Sequence, residues 1–294
     1  VPPRSVGEYG GETDNWVWPR HTGDFAFLRA YVGPDGEPAP FAKDNVPYKP
    51  KRHLEVNAKG VGEDDFVFLL GYPGRTYRHQ PAAFLRYEEK VRMPWYVARF
   101  QDHLAKMGEL SGINAGDAIK LANEMKWRAN VEKNYRGKLL GMKRLGLVDQ
   151  KADEDRELAA WIAADDERAG RWGAIFETIE NHYRQQAESA PRDLVLGRLL
   201  RASTIMQLAN DVVLNAAQMA RPDMESAGAY RERNRDTLTE TRRRLLRDRV
   251  AAADEAMLVR DLAAIVKLPR ALALKPVRDW VRAQTSSESG LDVK

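Results

Sequence analysis

The sequence contains no cysteine, which excludes disulfides, a thiol nucleophile and thiolate metal sites. It also lacks long apolar runs, and the longest, such as residues 66–70, are far too short to cross a bilayer. The five histidines are scattered, without the spacing of a zinc site. The 47 basic residues are interspersed with 43 acidic ones, which creates no strong field for a polyanion. The composition therefore indicates no metal, cofactor, membrane or nucleic acid.

Several catalytic signatures are missing as well. There is no Gly-x-Ser-x-Gly elbow, no phosphate-binding Gly-x-x-x-x-Gly-Lys-Ser/Thr loop and no His-Glu-x-x-His. The chain has 294 residues, 43% of them hydrophobic and 31% charged, which is typical of a globular protein with two domains. It begins with Val-Pro-Pro-Arg and not with Met, so we expect a processed protein or an internal fragment.

The pattern of the sequence changes near residue 80. Before it, short β-rich runs alternate with Gly and Pro, and they predict strands at residues 25–31, 53–57 and 65–70. The first run stops at Gly33-Pro34-Asp35-Gly36, a turn sequence. Three strands are too few for an independent domain. Residues 1–78 are therefore predicted to be the remainder of a β-domain whose other strands lie outside the chain.

Residues 79–294 follow a helical period almost throughout. Six to eight helices in an antiparallel array are expected, with prolines at 191, 222, 269 and 276 marking starts or breaks. One predicted helix carries the stripe Trp172, Ile175, Phe176, Ile179 and Tyr183. The fold class is therefore α+β, a partial β-domain followed by a large helical domain.

The most unusual stretch covers residues 10–25, Gly-Gly-Glu-Thr-Asp-Asn-Trp-Val-Trp-Pro-Arg-His-Thr-Gly-Asp-Phe. Two tryptophans in one loop indicate a rigid, shaped surface, although hydrophobic packing alone would also explain them. Asp24 opens a predicted strand, and a carboxylate at the rim of a core needs a partner such as a histidine N–H. Taken alone, the residues favour a turn-capping role for Asp24 over a catalytic one. His21, three residues earlier, could pair with Asp24 or only brace the loop.

A second group lies on a helix predicted from about Ala115 to Leu147. Asn123, Trp127, Asn130 and Asn134 share one face of this helix. Asparagine is a poor helix former, so three on one face are unusual. Their amides could accept hydrogen bonds from a ligand ammonium group or bond to a neighbouring helix. The pattern does not separate these two interpretations.

The loop at residues 10–25 closely resembles the bacterial serine dipeptidyl peptidases of the dipeptidyl aminopeptidase BII type, which include dipeptidyl peptidases seven and eleven. Their motif, Gly-Gly-x-Thr-Asp-Asn-Trp-x-Trp-Pro-Arg-His-Thr-Gly-Asp-Phe, matches all sixteen positions. Residues 43–47, 49–52 and 71–74 are also similar to that family. The resemblance implies a chymotrypsin-like double β-barrel, represented by residues 1–78, and a helical cap, represented in part by residues 79–294.

The resemblance also implies roles for individual residues. Asp24 would be the triad aspartate, with the histidine base upstream of Val1 and the serine downstream of Lys294. Asn15, the Trp16 carbonyl and Asn130 would hold the amino terminus of an oligopeptide. The activity implied is release of N-terminal dipeptides, and the fragment alone should be inactive. The family further implies export to the periplasm and a homodimer.

Two other functions are compatible with the residues. A non-enzymatic helical binding or scaffold module would explain the missing nucleophile, but not the match at residues 10–25. The basic residues at 242–249 could bind nucleic acid. Acidic residues lie close to them in the sequence, however, and indicate an ion-paired helix face instead. The side-chain preference of the substrate pocket stays open between hydrophobic and acidic residues.

Overall fold

A computed structural model describes residues 15–19, 27–71 and 74–277, together with residues 279 and 283. The chain divides into two compact units, Val1–Arg78 and His79–Lys294. The described part of the first unit carries two short strands, and that of the second is almost entirely helical. The roles predicted for these units, part of a catalytic β-domain and a helical cap, stay predictions.

The described residues of the first unit form one small antiparallel strand pairing. Strand β1 (Tyr31–Val32) pairs with β2 (Val46–Pro47), Tyr31 opposite Pro47 and Val32 opposite Val46. The predicted turn after β1 is confirmed, because the Gly36 amide donates to the Gly33 carbonyl at 2.9 Å. Gly36 has φ of 84°, a conformation that glycine adopts without steric cost.

The other strands predicted for this unit are not formed. Residues 53–57 and 65–70 lie in no strand, and neither do residues 27–30, although the Tyr48 amide donates to the Ala30 carbonyl at 2.9 Å. The side chains concerned are exposed; Leu69, for example, is 99% exposed. A strand needs a hydrogen-bonded neighbour, and the described residues of this unit supply one only for β1 and β2. The described residues of the first unit therefore show no chymotrypsin-like barrel.

The second unit is built from helices. In the described part these are α1 (Ala82–Tyr87), α2 (Met93–Ser111), α3 (Ala115–Leu145), α4 (Leu147–Ala163), α5 (Asp166–Trp172), α6 (Ile175–Leu199), α7 (Thr204–Met219), α8 (Arg235–Arg247) and α9 (Ala251–Val266). A π-helical segment, Glu88–Arg92, joins α1 to α2. Four short 3₁₀ turns are Asp223–Glu225, Gly228–Tyr230, Glu232–Asn234 and Arg270–Leu272.

The predicted count of six to eight helices is too low, because glycines divide the helical pattern more finely than prolines do. Gly146, with φ of 58°, ends α3 and immediately precedes α4. Gly173 caps α5, so Trp172 does not share a helix with Ile175 and the rest of its predicted stripe. Pro191, in contrast, lies inside α6 without ending it.

The centre of the second unit lies between α2, α3 and α9. A buried apolar cluster joins residues of these three helices and the Val250 that precedes α9: Met107, Leu121, Val250, Ala253 and Met257. Helices α2 and α3 run antiparallel, since residues late in α2 meet residues early in α3, and the reverse. The Phe100 and Trp127 rings, for example, are 5.4 Å apart, and those of Tyr96 and Tyr135 are 5.8 Å apart. The antiparallel packing predicted is confirmed for this pair.

The π-helical segment fixes α2 against α3 at their other end. Glu88 is buried and forms an ion pair with Arg92 one turn later. Arg92 also donates to the Tyr135 hydroxyl of α3 at 3.3 Å and lies over the Tyr96 and Tyr135 rings. The long helix α3 is thereby held along most of its length.

Candidate functional site

The predicted site residues fall in both units. Asn15 and Trp16 belong to the first unit and Asn130 to the second, whereas Asp24 and His21 lie outside the described residues. Trp16 has φ of 58°, in the left-handed region that a large aromatic residue seldom adopts. Such a conformation costs about 1 kcal/mol or more, and strained backbone of this kind clusters at functional sites. The backbone of Trp16 therefore has a conformation that is rare for its residue type.

Asn130 is placed by α3, whose ends are well defined. The Asn114 side chain caps its start by accepting from the Gly116 amide at 2.7 Å and the Asp117 amide at 3.4 Å. Asp117 in the first turn and Lys143 and Arg144 in the last suit the helix dipole. Both ends are thus fixed, and Asn130 lies near the middle of a rigid helix.

The asparagine stripe of α3 is not the face that the helix buries. The buried residues of α3 share one side: Leu121, Arg128, Glu132 and Met142. Asn130 is two residues from Arg128, about 200° around the helix, and is half-buried. Asn123 is exposed and Asn134 is half-buried. This arrangement favours a surface role for the stripe over a role in packing α3 against α2.

Trp127, on the same face, belongs to an aromatic and cationic stack. Its ring lies edge-on to Phe100 of α2, with centroids 5.4 Å apart and an interplanar angle of 63°. The Arg198 guanidinium of α6 is 5.4 Å from the Trp127 centroid and 5.5 Å from that of Phe100. Phe100 is fully buried, whereas Trp127 remains 47% exposed. The indole is thus held from three helices while part of it faces solvent.

A buried polar cluster lies beneath this stack. Arg128, which is 1% exposed, donates through Nη1 to Nδ1 of the buried His103 at 2.8 Å and pairs with Glu124. Because arginine only donates, Nδ1 accepts and the His103 proton is assigned to Nε2. Burial, followed by the charge of Arg128, lowers the pKa of His103 to about 2. His103 is therefore neutral and cannot act as a general base near neutral pH.

The His103–Arg128 contact predicts an acid-sensitive fold. The native pKa of His103 lies below its value of about 6.5 in the unfolded chain, so the unfolded state binds the additional proton. Stability is full above pH 6.5 and is lost as the pH falls toward 2, by about 1.4 kcal/mol per pH unit.

His103→Asn keeps an acceptor near the position of Nδ1 but cannot titrate. Urea unfolding of both proteins between pH 7 and 4.5 should show a wild-type slope steeper by about one proton per molecule. Parallel slopes would show that His103 does not sense the positive charge of Arg128.

Nearly the whole sequence matches the sequence model of one protein family. Residues 1–290 match the family described as Peptidase S46. The chain belongs to the peptidase S46 family. This confirms the family predicted from the motif at residues 10–25.

The relatives of this S46 chain are dipeptidyl peptidases. It is 34% identical over 302 residues to the Asp/Glu-specific dipeptidyl-peptidase of Shewanella putrefaciens, covering 99% of this chain and 40% of that protein. It is also 34% identical over 221 residues to dipeptidyl-peptidase 7 of Porphyromonas gingivalis, covering 73% of this chain and 31% of that protein. The S46 chain therefore spans no more than about two fifths of these relatives.

Solved structures agree with this assignment. The S46 chain matches Porphyromonas endodontalis DPP11 in complex with the dipeptide Arg-Glu with a TM-score of 0.64, at 25% identity over 96% of this chain and 40% of that one. The complex of the same protein with substrate matches with a TM-score of 0.59 at 27% identity. This match covers 96% of this chain and 39% of that one. The mostly helical architecture is thus shared with DPP11.

The basic run in this S46 chain is an ion-paired surface, as expected. Arg242 donates to Asp211 of α7 at 2.6 Å, and Arg249 donates to Asp254 of α9 at 2.6 Å. Arg247 lies 3.3 Å from Asp248. These contacts neutralise much of the charge that a nucleic acid would need.

Neither a metal site nor a membrane-spanning helix is found in the part of the S46 chain that the structure describes. No group of three or more His, Asp or Glu side chains there has the arrangement of a metal site. No transmembrane span is found among the described helices either.

Two features of the second unit could not be read from the sequence. Phe100, Trp127 and Arg198 come from three separate helices, and no motif connects them. His103 and Arg128 likewise meet only through the pairing of α2 with α3. The asparagine stripe is a partial sequence signal for the first feature, because it marks the face of α3 on which Trp127 lies.

Proposed function

We propose that the complete protein is a serine dipeptidyl peptidase that releases dipeptides from the free amino terminus of oligopeptides. The observation that carries this proposal is the family match over residues 1–290, which includes the sixteen-residue motif containing Asp24. Asp24 would orient a catalytic histidine through its Nδ1–H, and a serine would attack the second peptide bond. Histidine and serine are proposed to lie outside this chain, which alone would be inactive.

The amino terminus of the substrate defines the register of cleavage. A free ammonium lies about 7 Å from the carbonyl that is attacked two residues later. It has three donors and no acceptor, so it binds to oxygen atoms. We assign these oxygens to Asn15, the Trp16 carbonyl and Asn130. The left-handed backbone of Trp16 and the outward face of α3 support this assignment.

Replacing Asn130 tests the amine site. Asn130→Ala in the complete protein should lower kcat/KM for peptides with a free amino terminus about 10- to 100-fold, because a hydrogen bond to a charged group contributes about 1.5–3 kcal/mol. The effect should appear mainly as a higher KM. Chromogenic dipeptide substrates provide the measurement, with N-acetylated versions to show that the amine is required.

Asn123→Ala is the matched control. Asn123 is exposed on the same helix, seven residues or about 10 Å from Asn130. Its removal should leave both kinetic constants near those of the wild type. Equal effects of the two substitutions, or none from Asn130→Ala, would remove Asn130 from the amine site.

Further proposals concern the domains to which the two units belong and the location and oligomeric state of the complete protein. We propose that Val1–Arg78 is part of a chymotrypsin-like β-barrel and that His79–Lys294 is part of the helical cap. The complete protein is proposed to be periplasmic and a homodimer. Cell fractionation and light scattering of the complete protein test these two points directly.

A further inference from the structure

The middle of α3, where Asn130 lies, buries charged residues instead of apolar ones. The two buried apolar residues of α3, Leu121 and Met142, lie toward opposite ends of the helix. Between them, the buried positions are Arg128 and Glu132. A buried polar side chain costs free energy unless it is hydrogen-bonded, so both residues need partners. The placement of Asn130 therefore depends on these partners.

The partners come from α2. Arg128 donates through Nη1 to Nδ1 of His103 at 2.8 Å, and both side chains are at most 2% exposed. Glu132, which is 7% exposed, accepts from Nε2 of Gln101 at 2.8 Å. The two contacts lie one turn apart on the buried side of α3, and Asn130 lies between them in sequence, about 200° around the helix from each. A rotation of α3 that displaces Asn130 therefore distorts both contacts.

Hydrogen bonds fix the rotation of a helix more sharply than apolar contacts do. Hydrophobic contact is non-directional, whereas a hydrogen bond weakens steeply as its angle becomes smaller. A rotation of about 15° moves a side-chain atom that lies 5–6 Å from the helix axis by about 1.4 Å. A displacement of about 1 Å in a group that orients a substrate can cost on the order of 100-fold in rate.

We propose that His103 with Arg128, and Gln101 with Glu132, are positioning residues that fix the rotation of α3 and so hold the Asn130 amide where it binds the ammonium group of the peptide. These roles rest on the amine site proposed above and deepen it. All four residues act through Asn130 and not through contact with the peptide. Buried polar residues that specify register without adding stability are well attested in coiled coils.

Replacing the buried pair with apolar residues separates positioning from stability. His103→Leu with Arg128→Met, in the complete protein, removes the polar contact and leaves no buried charge; Glu124, the other partner of Arg128, has a side chain that is 46% exposed and stays solvated. The midpoint of urea unfolding should stay the same or rise, because apolar replacements of buried pairs are often neutral or stabilising. KM for dipeptide substrates with a free amino terminus should nevertheless rise about tenfold, since a hydrogen bond to a charged group is misplaced. The change in kcat should be smaller than that in KM.

Arg99→Met with Asp261→Leu is the matched control. This buried pair joins α2 to α9 and has no member on α3. Its replacement also exchanges a buried polar contact for an apolar one, but it should leave KM within about twofold of the wild type, as expected for an independent site. An equal rise of KM in both double variants would overturn the proposal, and so would a wild-type KM in the variant with His103→Leu and Arg128→Met.

A cycle with Asn130→Ala tests whether the buried pair acts through Asn130. Once the Asn130 amide is removed, its position no longer matters. In the Asn130→Ala background, His103→Leu with Arg128→Met should therefore change KM by less than about twofold. A purely structural role would leave the two effects independent, so that their fold-changes multiply, and that result would refute positioning.

The second contact is tested at Glu132. Glu132→Gln retains an oxygen that can accept from Gln101 and from Arg136, whose Nε lies 3.0 Å from Glu132 Oε1, and should keep KM near the wild-type value. Glu132→Leu removes the acceptor and should raise KM. Equal KM values for the two variants would remove Glu132 from the positioning role. Because Gln101 is exposed, Glu132→Leu leaves no buried donor, and this comparison decides the question if the buried double variant does not fold.

Failure of the positioning role can be told apart from failure of the proposed function. If Asn130→Ala raises KM while the replacements at His103, Arg128 and Glu132 do not, the amine site stands and the positioning role is wrong. If Asn130→Ala leaves KM unchanged while the complete protein releases dipeptides, the amine site and the positioning role fall together and the activity stands. If the complete protein releases no dipeptides, the proposed function itself is wrong.

Discussion

Replacing Asp24 with asparagine in the complete protein is expected to lower kcat about 10⁴-fold, as loss of the orienting carboxylate does in serine proteases of the triad type. The amide keeps the size of the side chain but presents a donor where the histidine Nδ1–H needs an acceptor. The histidine is then held in the wrong tautomer and cannot take the proton of the serine. Steady-state and single-turnover kinetics on a dipeptide substrate measure the loss.

The control for Asp24 is Asp35→Asn. Asp35 lies in the turn after β1, where its carboxylate accepts from the Glu37 amide at 3.1 Å, and it has no proposed part in the reaction. Its replacement should leave kcat nearly unchanged. Circular dichroism of both variants shows that the fold is retained. Turnover near the wild-type value in Asp24→Asn would exclude Asp24 from the triad.

Replacing Asp261 with asparagine is expected to destabilise the second unit by about 3–5 kcal/mol, the usual cost of breaking a buried ion pair. Asp261 of α9 is 1% exposed and pairs with Arg99 of α2. Burial already lowers the pKa of Arg99 to about 10, which shows how poorly its charge is solvated. Without Asp261 that charge is left in the interior. Urea unfolding followed by circular dichroism at neutral pH measures the change.

The neighbouring pair provides the comparison. Arg260 and Asp102 join the same two helices at 3.0 Å, but both side chains are partly exposed. Asp102→Asn should therefore cost only about 0–1 kcal/mol. The double substitution Arg99→Met, Asp261→Leu should recover much of the stability lost in Asp261→Asn, because it leaves no buried charge. Equal costs at Asp261 and Asp102 would mean that burial does not distinguish the two pairs.

The parts of the fold that could be predicted from the sequence are those set by local chemistry. Helix α3 begins at Ala115 as expected, because Asn114 caps it. Its end was placed two residues too late, since Gly146 turns the chain before Leu147 begins α4. The family was predicted correctly from residues 10–25, whose residue types are unusual enough to be specific.

What could not be predicted depends on contacts between distant segments. The strands expected at 53–57 and 65–70 have strand-like composition, but composition cannot provide a pairing partner. The contact of Arg198 with Trp127 joins residues 71 positions apart, on α6 and α3, and depends on how the helices assemble in three dimensions. The roles of Asn15, Trp16, Asn130 and Asp24 stay predictions.

The exposed apolar residues of the first unit have a consequence for how this segment behaves in a cell. Phe27, Leu28, Phe66 and Leu69 are each at least 90% exposed and lie in stretches outside the helices and strands. Such stretches are what chaperones recognise and what drives aggregation through strand edges. These exposed residues would make the first unit a chaperone client and an early target of proteases, whereas His79–Lys294 carries its own buried core.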